Sequence, residues 1–407
     1  MRYVVNEQIV LMRPPQGPAA AFIRPFASWV SEQGYAFAPL RQRVRIAAGF
    51  SRWLAENALC LRAIGSRQCA QYLQRHGQER DRVALSQFLK FLRRQGVTRA
   101  EKVLPVRLTP AEQCAQRFER YLREERQLSA ATQLNYVPFI REFLIDRFGN
   151  GVLKLASLRA RDVTGFVQRR ASHLHRKRAK LLTAGLRSFL RYARYRGEIR
   201  ADLTAAVPTV ANWSMPAIPR GIAPDQVRQL LRQVDRSTAV GRRDYAILLL
   251  LARLGLRASE VVTLELEDID WKAGSLSVCG KGGRRSQLPL PQEVGDAIVA
   301  YLRRGRPRHS SRRVFLTARA PTRGFLGPSA ISCVVRHALM SAGIDAPTRG
   351  AHQFRHGLAT EMLRRGASLS EIGELLGHRS PETTKIYTKV DLEGLRTLAL
   401  PWPGGVP

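Results

Sequence analysis

Two stretches of this chain close on the same apolar helix signature, and that repetition constrains the fold more than any other feature. Phe88, Leu89, Arg93 and Gly96 recur at the same spacing as Phe189, Leu190, Arg194 and Gly197. Each set lays apolar residues along one helical face and stops at glycine, the residue that ends helices by taking left-handed backbone. The segments ahead of them match in character. Phe26, Trp29 and Val30 lead the first, followed by Val44, Ile46, Phe50, Trp53 and Leu54, then Val83, Leu85 and Leu92. Phe118, Tyr121 and Leu122 lead the second, followed by Tyr136, Phe139, Ile140, Phe143 and Leu144, then Leu181, Leu186 and Ala193. The pattern predicts a helical module over residues 1–105 and a helical domain over 106–204, the first a diverged copy of the second.

A different pattern follows. Residues 205–224 hold Pro208, Pro216, Pro219 and Pro224 and few periodic apolar positions, which marks a linker. Beyond it a strongly apolar helix is expected over Arg243–Leu254, ending at Gly255, and a second over Ala258–Leu264. Ser275–Val278 and Ser286–Leu290 flank Gly280, Lys281, Gly282 and Gly283, a hairpin signal. Helical sequence resumes from Glu293. The expected fold class is mainly α with a small antiparallel β-sheet in the C-terminal domain (α+β), that domain covering residues 225–407.

Lys and Arg number 67 against 32 Asp and Glu, a formal net charge of +35 spread along all 407 residues. Such an excess favours a polyanion, because neutralising phosphates releases condensed counterions. Charge alone does not choose between DNA and a structural RNA. The five cysteines, Cys60, Cys69, Cys114, Cys279 and Cys333, form no CxxC pair, so neither a zinc ribbon nor a disulfide framework is expected and a reducing compartment fits. Met1–Ala21 has no apolar core of a secretory signal, and the longest apolar run, Tyr245–Ala252, is too short to span a bilayer. The expected location is the bacterial cytoplasm, in association with the nucleoid.

The residues that can carry chemistry lie in order in the last domain. Arg257 precedes Glu260 by three; Lys281 sits between glycines; His352 and Arg355 are spaced i, i+3; His378 follows Leu375, Leu376 and Gly377; Tyr387 comes nine residues later. Breaking a phosphodiester needs a nucleophile, cations on the non-bridging oxygens and a proton for the leaving oxygen. Arginine suits the second task, since its planar fork pairs two oxygens and keeps its charge. A lysine on a tight turn can protonate a 5′ oxygen. A tyrosine can hold the phosphoryl group as an ester and so conserve the bond for rejoining. His352 and His356 at i, i+4 have the spacing of a zinc helix, but Gln353, Phe354 and Arg355 between them supply no Glu and place a cation next to the site. The Gly280–Gly283 turn lacks the spacing of a nucleotide-binding loop. No metal site and no cofactor are expected.

From about residue 220 to 395 this ordered series resembles the tyrosine recombinases, the phage integrase family. The resemblance implies roles. Arg257 and Arg355 would hold the scissile phosphate, Lys281 would protonate the leaving 5′ hydroxyl, His352 would assist proton transfer at the nucleophile, His378 would hydrogen-bond the phosphate, and Tyr387 would form a 3′-phosphotyrosyl link. Glu260 would orient the basic groups. Residues 106–204 would be the family's core-binding domain, the other half of a clamp on double-stranded DNA, and Asp391–Leu400 the terminal helix that docks on a neighbour. A homo- or hetero-tetramer of related recombinases on DNA is implied. Compact members begin at the core-binding domain; the module over 1–105 is a departure found in longer members linked to mobile elements.

Two other functions share these features. A type IB topoisomerase uses the same nucleophile but relaxes supercoils alone, so relaxation of a plasmid lacking a recombination site would reveal it. A non-catalytic DNA-binding relative would fail to form a covalent adduct.

Overall fold

The structure, a computed structural model, describes residues 3–5, 8–76, 81–98, 108–210, 221–280, 283, 285–346, 348, 350–378 and 380–390. Lys281, half of the proline-rich linker and the whole of Asp391–Leu400 therefore lie outside the described residues. Two compact units divide the chain: Lys102–Ser214 forms one, and Met1–Glu101 with Met215–Pro407 forms the other.

The chain opens on a short antiparallel pair, β1 (Tyr3–Val5) and β2 (Gln8–Leu11), which the sequence reading did not anticipate. Then come α1 (Ala20–Glu32), α2 (Phe37–Glu56), α3 (Ser66–His76) and α4 (Asp81–Arg94), with a 3-10 turn over Leu61–Ala63. Their apolar faces meet in one core around Phe26, Val44, Phe50, Leu54, Phe88 and Leu92. Among the described residues a backbone hydrogen bond ties this module to the C-terminal region: the buried Thr322 donates its amide to the Gln33 carbonyl at 2.8 Å.

The second unit repeats the order, with α5 (Pro110–Glu124), α6 (Ala130–Phe148), a 3-10 turn over Leu155–Ser157, α7 (Ala160–Ala171) and α8 (Arg176–Tyr195). The start of α5 is set by chemistry. Thr109 accepts from the Glu112 amide at 3.3 Å, Glu112 accepts from the Thr109 amide at 2.9 Å, and Pro110 fills the first helical position. Phe118, Phe143 and Phe189 are fully buried in its core, each contributing roughly 2–3 kcal/mol of burial free energy.

The C-terminal region begins with α9 (Pro224–Gln233) and α10 (Ala239–Arg253). In α10 Ala246–Leu251 are all buried, so the helix is apolar on every side and forms the centre of the region. It starts four residues earlier than its apolar pattern suggested, because Thr238 caps it by accepting from the Gly241 amide at 3.0 Å. Next come α11 (Ala258–Thr263) and a three-stranded antiparallel sheet in the order β3 (Ile269–Asp270), β4 (Ser275–Cys279), β5 (Arg285–Pro289). Leu276 faces Leu288 across the pair, and both turn into the core. The fold is completed by α12 (Gln292–Arg304), α13 (Pro328–Ser341), α14 (His352–Arg364), α15 (Leu369–Leu375) and α16 (Pro381–Thr384), ending in a 3-10 turn over Lys385–Val390. The mainly helical class with one small antiparallel sheet is thus as expected. No helix among the described residues is long and apolar enough to cross a membrane.

Candidate active site

Three helix ends and one helix face converge to form the site. The first end is the corner after α10, where Gly255 takes φ +58° and turns the chain into Leu256 and Arg257. Arg257 stands at the N-cap of α11. The Glu260 carboxylate reaches back to accept from the Arg257 amide at 2.7 Å and from its guanidinium at 2.7 Å. Glu260 is 5% exposed, so one buried carboxylate both caps the helix and fixes the cation.

The helix face belongs to α14. Gln353, Phe354 and Arg355 are buried, and the Arg355 guanidinium donates to the carbonyls of Gly255, at 2.9 Å, and Leu376. The second helix end is that of α15, whose closing carbonyls at Leu376 and Gly377 receive Arg355 and Arg257, the latter at 3.4 Å. Both arginines thus satisfy carbonyls that helix ends leave unpaired, where the helix dipole favours a cation. Burial beside Arg257 pulls the Arg355 guanidinium down to about 10, with Glu260 and Tyr387 opposing, so it remains charged at neutral pH. Each guanidinium has five N–H donors, and the bonds above leave several of them uncommitted.

Gly377, at φ +57°, then carries the chain from α15 into His378. The His378 Nδ1 lies 2.7 Å from the Thr384 hydroxyl. Burial, then Arg355, Arg257 and His356, pull this imidazole down to about 4. It is therefore neutral at pH 7.

Tyr387 hangs from the third helix end, in the turn after α16. It is 1% exposed, and its hydroxyl lies 3.0 Å from His356 Nδ1. The His378 ring lies nearly parallel to it, with centroids 6.4 Å apart. Burial raises the tyrosine hydroxyl above its ordinary value, and Arg355 and Arg257 act against that rise. His356 is pushed below its ordinary value by burial, then by His352 and Arg355.

The structure thus brings Arg257, Glu260, Arg355, His378 and Tyr387 together. His352 is exposed at the start of α14, its ring centroid 6.3 Å from that of His356. The histidine on the tyrosine hydroxyl is His356, which sequence reasoning weighed only as half of a zinc pair. Thr384 was also missed, and nothing in its spacing singled it out. Among the described residues no group of three or more His, Cys, Asp or Glu side chains is placed to hold a metal ion.

Comparison with known proteins follows the same outline. Residues 220–393 match the family model described as the phage integrase family, and residues 115–197 match that of the phage integrase N-terminal SAM-like domain. The integrase/recombinase-type protein y4rA of Sinorhizobium fredii is 55% identical over 99% of both chains. Tyrosine recombinase XerD of Listeria monocytogenes is 31% identical over 67% of this chain and 92% of its own. Among solved structures, the post-cleavage complex of XerH recombinase with palindromic difH aligns with a TM-score of 0.57 at 19% identity, over 72% of this chain and 97% of that one. A lambda integrase dimer on a COC′ core site aligns with a TM-score of 0.52 at 18% identity, over 68% and 94%. At these identities the structural likeness speaks for the fold.

Proposed function

The chain belongs to the phage integrase family, and from that premise we propose that it recombines DNA at specific sites through a tyrosyl-DNA intermediate formed on Tyr387. It is an enzyme of DNA strand breakage and rejoining, and its partner is DNA. The observation that carries the residue assignment is the Tyr387 hydroxyl, 3.0 Å from an imidazole held below its ordinary basicity and close enough to Arg257 and Arg355 to feel both charges.

The chemistry on this reading is a balanced exchange. The Tyr387 oxygen attacks phosphorus as its proton passes to His356, which is neutral and can accept it. A Tyr–O–P bond forms and the P–O5′ bond breaks. Arg257 and Arg355 hold the charge that grows on the non-bridging oxygens. His378, with Nδ1 engaged by Thr384, offers its Nε2 edge to the same phosphate. Lys281 gives the leaving 5′ oxygen its proton. One phosphate ester replaces another, so a 5′ hydroxyl from a second strand can reverse the step without an outside energy source. Residues 106–204 supply further contacts to the DNA backbone. Full exchange joins two duplexes through four cuts, so four active sites, from this chain or from sister recombinases, gather on DNA at the bacterial nucleoid.

The test is covalent trapping. Wild-type protein and Tyr387→Phe are incubated with a randomised pool of nicked duplexes and resolved in denaturant. The expected result is a DNA adduct with wild type and none with the Phe variant, which keeps the ring packing and lacks only the oxygen. An adduct persisting in Tyr387→Phe overturns the assignment.

A further inference from the structure

The helical module at the start of the chain has no role in the mechanism above, yet its core is laid out like that of the second unit. With α2 shifted by 93 residues onto α6, five of its eight buried residues, Leu40, Val44, Ala47, Phe50 and Ser51, fall on the buried Gln133, Val137, Ile140, Phe143 and Leu144, while Ala48, Trp53 and Leu54 fall on Arg141, Asp146 and Arg147. With α4 shifted by 101 residues onto α8, its six buried positions, Ala84, Leu85, Phe88, Leu89, Phe91 and Leu92, fall on Gly185, Leu186, Phe189, Leu190, Tyr192 and Ala193, again all buried. The ring geometry repeats as well. Phe26 stacks on Trp29 at 6.1 Å and 25°, and Phe118 stacks on Tyr121 at 6.4 Å and 24°. Phe88 meets Phe26 edge-on at 4.9 Å, and Phe189 meets Phe118 edge-on at 5.4 Å. One core design therefore occurs twice.

The outer faces differ. A groove of about 560 Å³ opens between α2 and the segment that follows β2, lined by Arg13, Pro14, Arg41, Arg45, Gly49 and Arg52, with no acidic residue in its wall. On α6 the positions matching Arg41, Arg45 and Arg52 are Leu134, Pro138 and Ile145. The fold therefore does not demand arginine on this face. None of the four arginines has a hydrogen-bond or ion-pair acceptor among the described residues. Arg43, on the neighbouring face, is by contrast tied to Gln87 at 2.7 Å and lies over the Tyr35 ring at 3.9 Å.

We propose that this groove is a second DNA-backbone site, in which Arg13, Arg41, Arg45 and Arg52 grip phosphates away from the cleavage centre. The proposal rests on the reading that the chain works on duplex DNA. Length argues for an extended polyanion over a single phosphate or mononucleotide. From Arg41 to Arg52 α2 rises about 16 Å, a span of about five phosphates of one strand at ~3.4 Å each. Because α6 carries Leu134, Pro138 and Ile145 there, the contact is additional to any made by the second unit. It would let the enzyme hold sequence flanking the cut.

The experiment uses the full chain. Affinity for a long randomised duplex is measured across a salt series for three proteins: wild type, the quadruple variant Arg13→Ala, Arg41→Ala, Arg45→Ala, Arg52→Ala, and a charge-matched quadruple, Arg24→Ala, Arg62→Ala, Arg67→Ala, Arg75→Ala, whose arginines are exposed elsewhere on the same module. Four lost phosphate contacts should make the slope of log K against log salt shallower by about 3.6 in the groove variant, and by much less in the control. Equal slopes in the two variants overturn the proposal and leave the groove to an acidic protein partner. If the quadruple variant melts early, Arg45→Glu alone, at an exposed position, should weaken binding by at least tenfold; an unchanged affinity there likewise overturns it. Tyrosyl adduct formation by wild type is scored in parallel. Adduct with equal slopes sinks only the groove, whereas shifted slopes without adduct sink only the strand-transfer reading.

Discussion

Replacing His356 by Gln separates the proton acceptor that geometry indicates from His352, the one that the family resemblance implied. In the folded chain His356 Nδ1 lies 3.0 Å from the Tyr387 hydroxyl, while His352 is exposed one helical turn earlier. Gln keeps an amide near the hydroxyl and cannot take its proton. Losing a general base slows a proton-coupled step by about 10²–10⁴, which is roughly 3–5 kcal/mol at 1.36 kcal/mol per decade. Losing only a neutral hydrogen bond costs about 0.5–1.5 kcal/mol, on the order of tenfold or less in rate. The assay is single-turnover adduct formation on a nicked duplex with protein in excess, across pH. A protonated His356 could not accept the tyrosine proton, so the wild-type rate should fall on the acid side and level off once the imidazole is neutral in the DNA complex. His356→Gln should lose at least 100-fold and that acid limb with it. A loss under tenfold with the limb intact, together with a large loss in His352→Ala, would refute the argument and return the base role to His352.

Other consequences are open to measurement. Glu260→Ala strips a 5%-exposed carboxylate from the amide and guanidinium of Arg257; it should lower stability by about 3 kcal/mol, with Glu260→Gln nearer 1 kcal/mol, and equal melting points for wild type and Ala would contradict this. His378, at about 4 when folded against about 6.5 unfolded, adds stability that is full above about pH 6.5 and lost as pH falls toward 4. The melting-point gap between wild type and His378→Asn should therefore narrow over that window, and a constant gap would remove the premise. Because two arginines already meet the phosphate charge, EDTA should leave adduct formation unchanged; loss restored by magnesium would refute the assignment. Truncation after Val390 should spare adduct formation more than paired-site recombination, and full recombination would refute docking of the Asp391–Leu400 segment on a neighbour.

How far the sequence could be read depended on what kind of signal each feature left. Glycines at helix ends were legible: Gly96, Gly197 and Gly255 all take positive φ where the periodic runs stop. Chemistry singled out arginines and a tyrosine as residue types, the ordered series was picked out by its resemblance to the family, and the fold brings Arg257, Arg355, His378 and Tyr387 together. The short elements α3 and α7 were not, since each buries only two or three side chains and so shows little period. Neither was the contact of His356 with the Tyr387 hydroxyl. Spacing put His352 and Arg355 on one face, but packing of Gln353, Phe354 and Arg355 inward leaves His352, the first residue of α14, in solvent. A contact across 31 residues of sequence, His356 to Tyr387, depends on where α16 ends and has no local signature.

The arrangement also bears on when His356 could accept a proton. The imidazoles near Tyr387 are held neutral by burial and by the field of neighbouring cations, Arg355 acting on both His356 and His378. The same field acts to lower the tyrosine hydroxyl, against the larger effect of its burial. On the proposed reading the scissile phosphate brings a negative charge between Arg257 and Arg355. That charge offsets the cationic field at His356, so its affinity for a proton rises when substrate is seated and only then. Without DNA, His356 stays a weak base and Tyr387 stays an un-ionised phenol, 1% exposed and bonded at its oxygen. Permanent guanidiniums suit this arrangement better than lysines would, because Arg355 remains charged even where burial takes it down to about 10. A lysine at that depth would shed its proton, and the field that makes the site respond to phosphate would go with it.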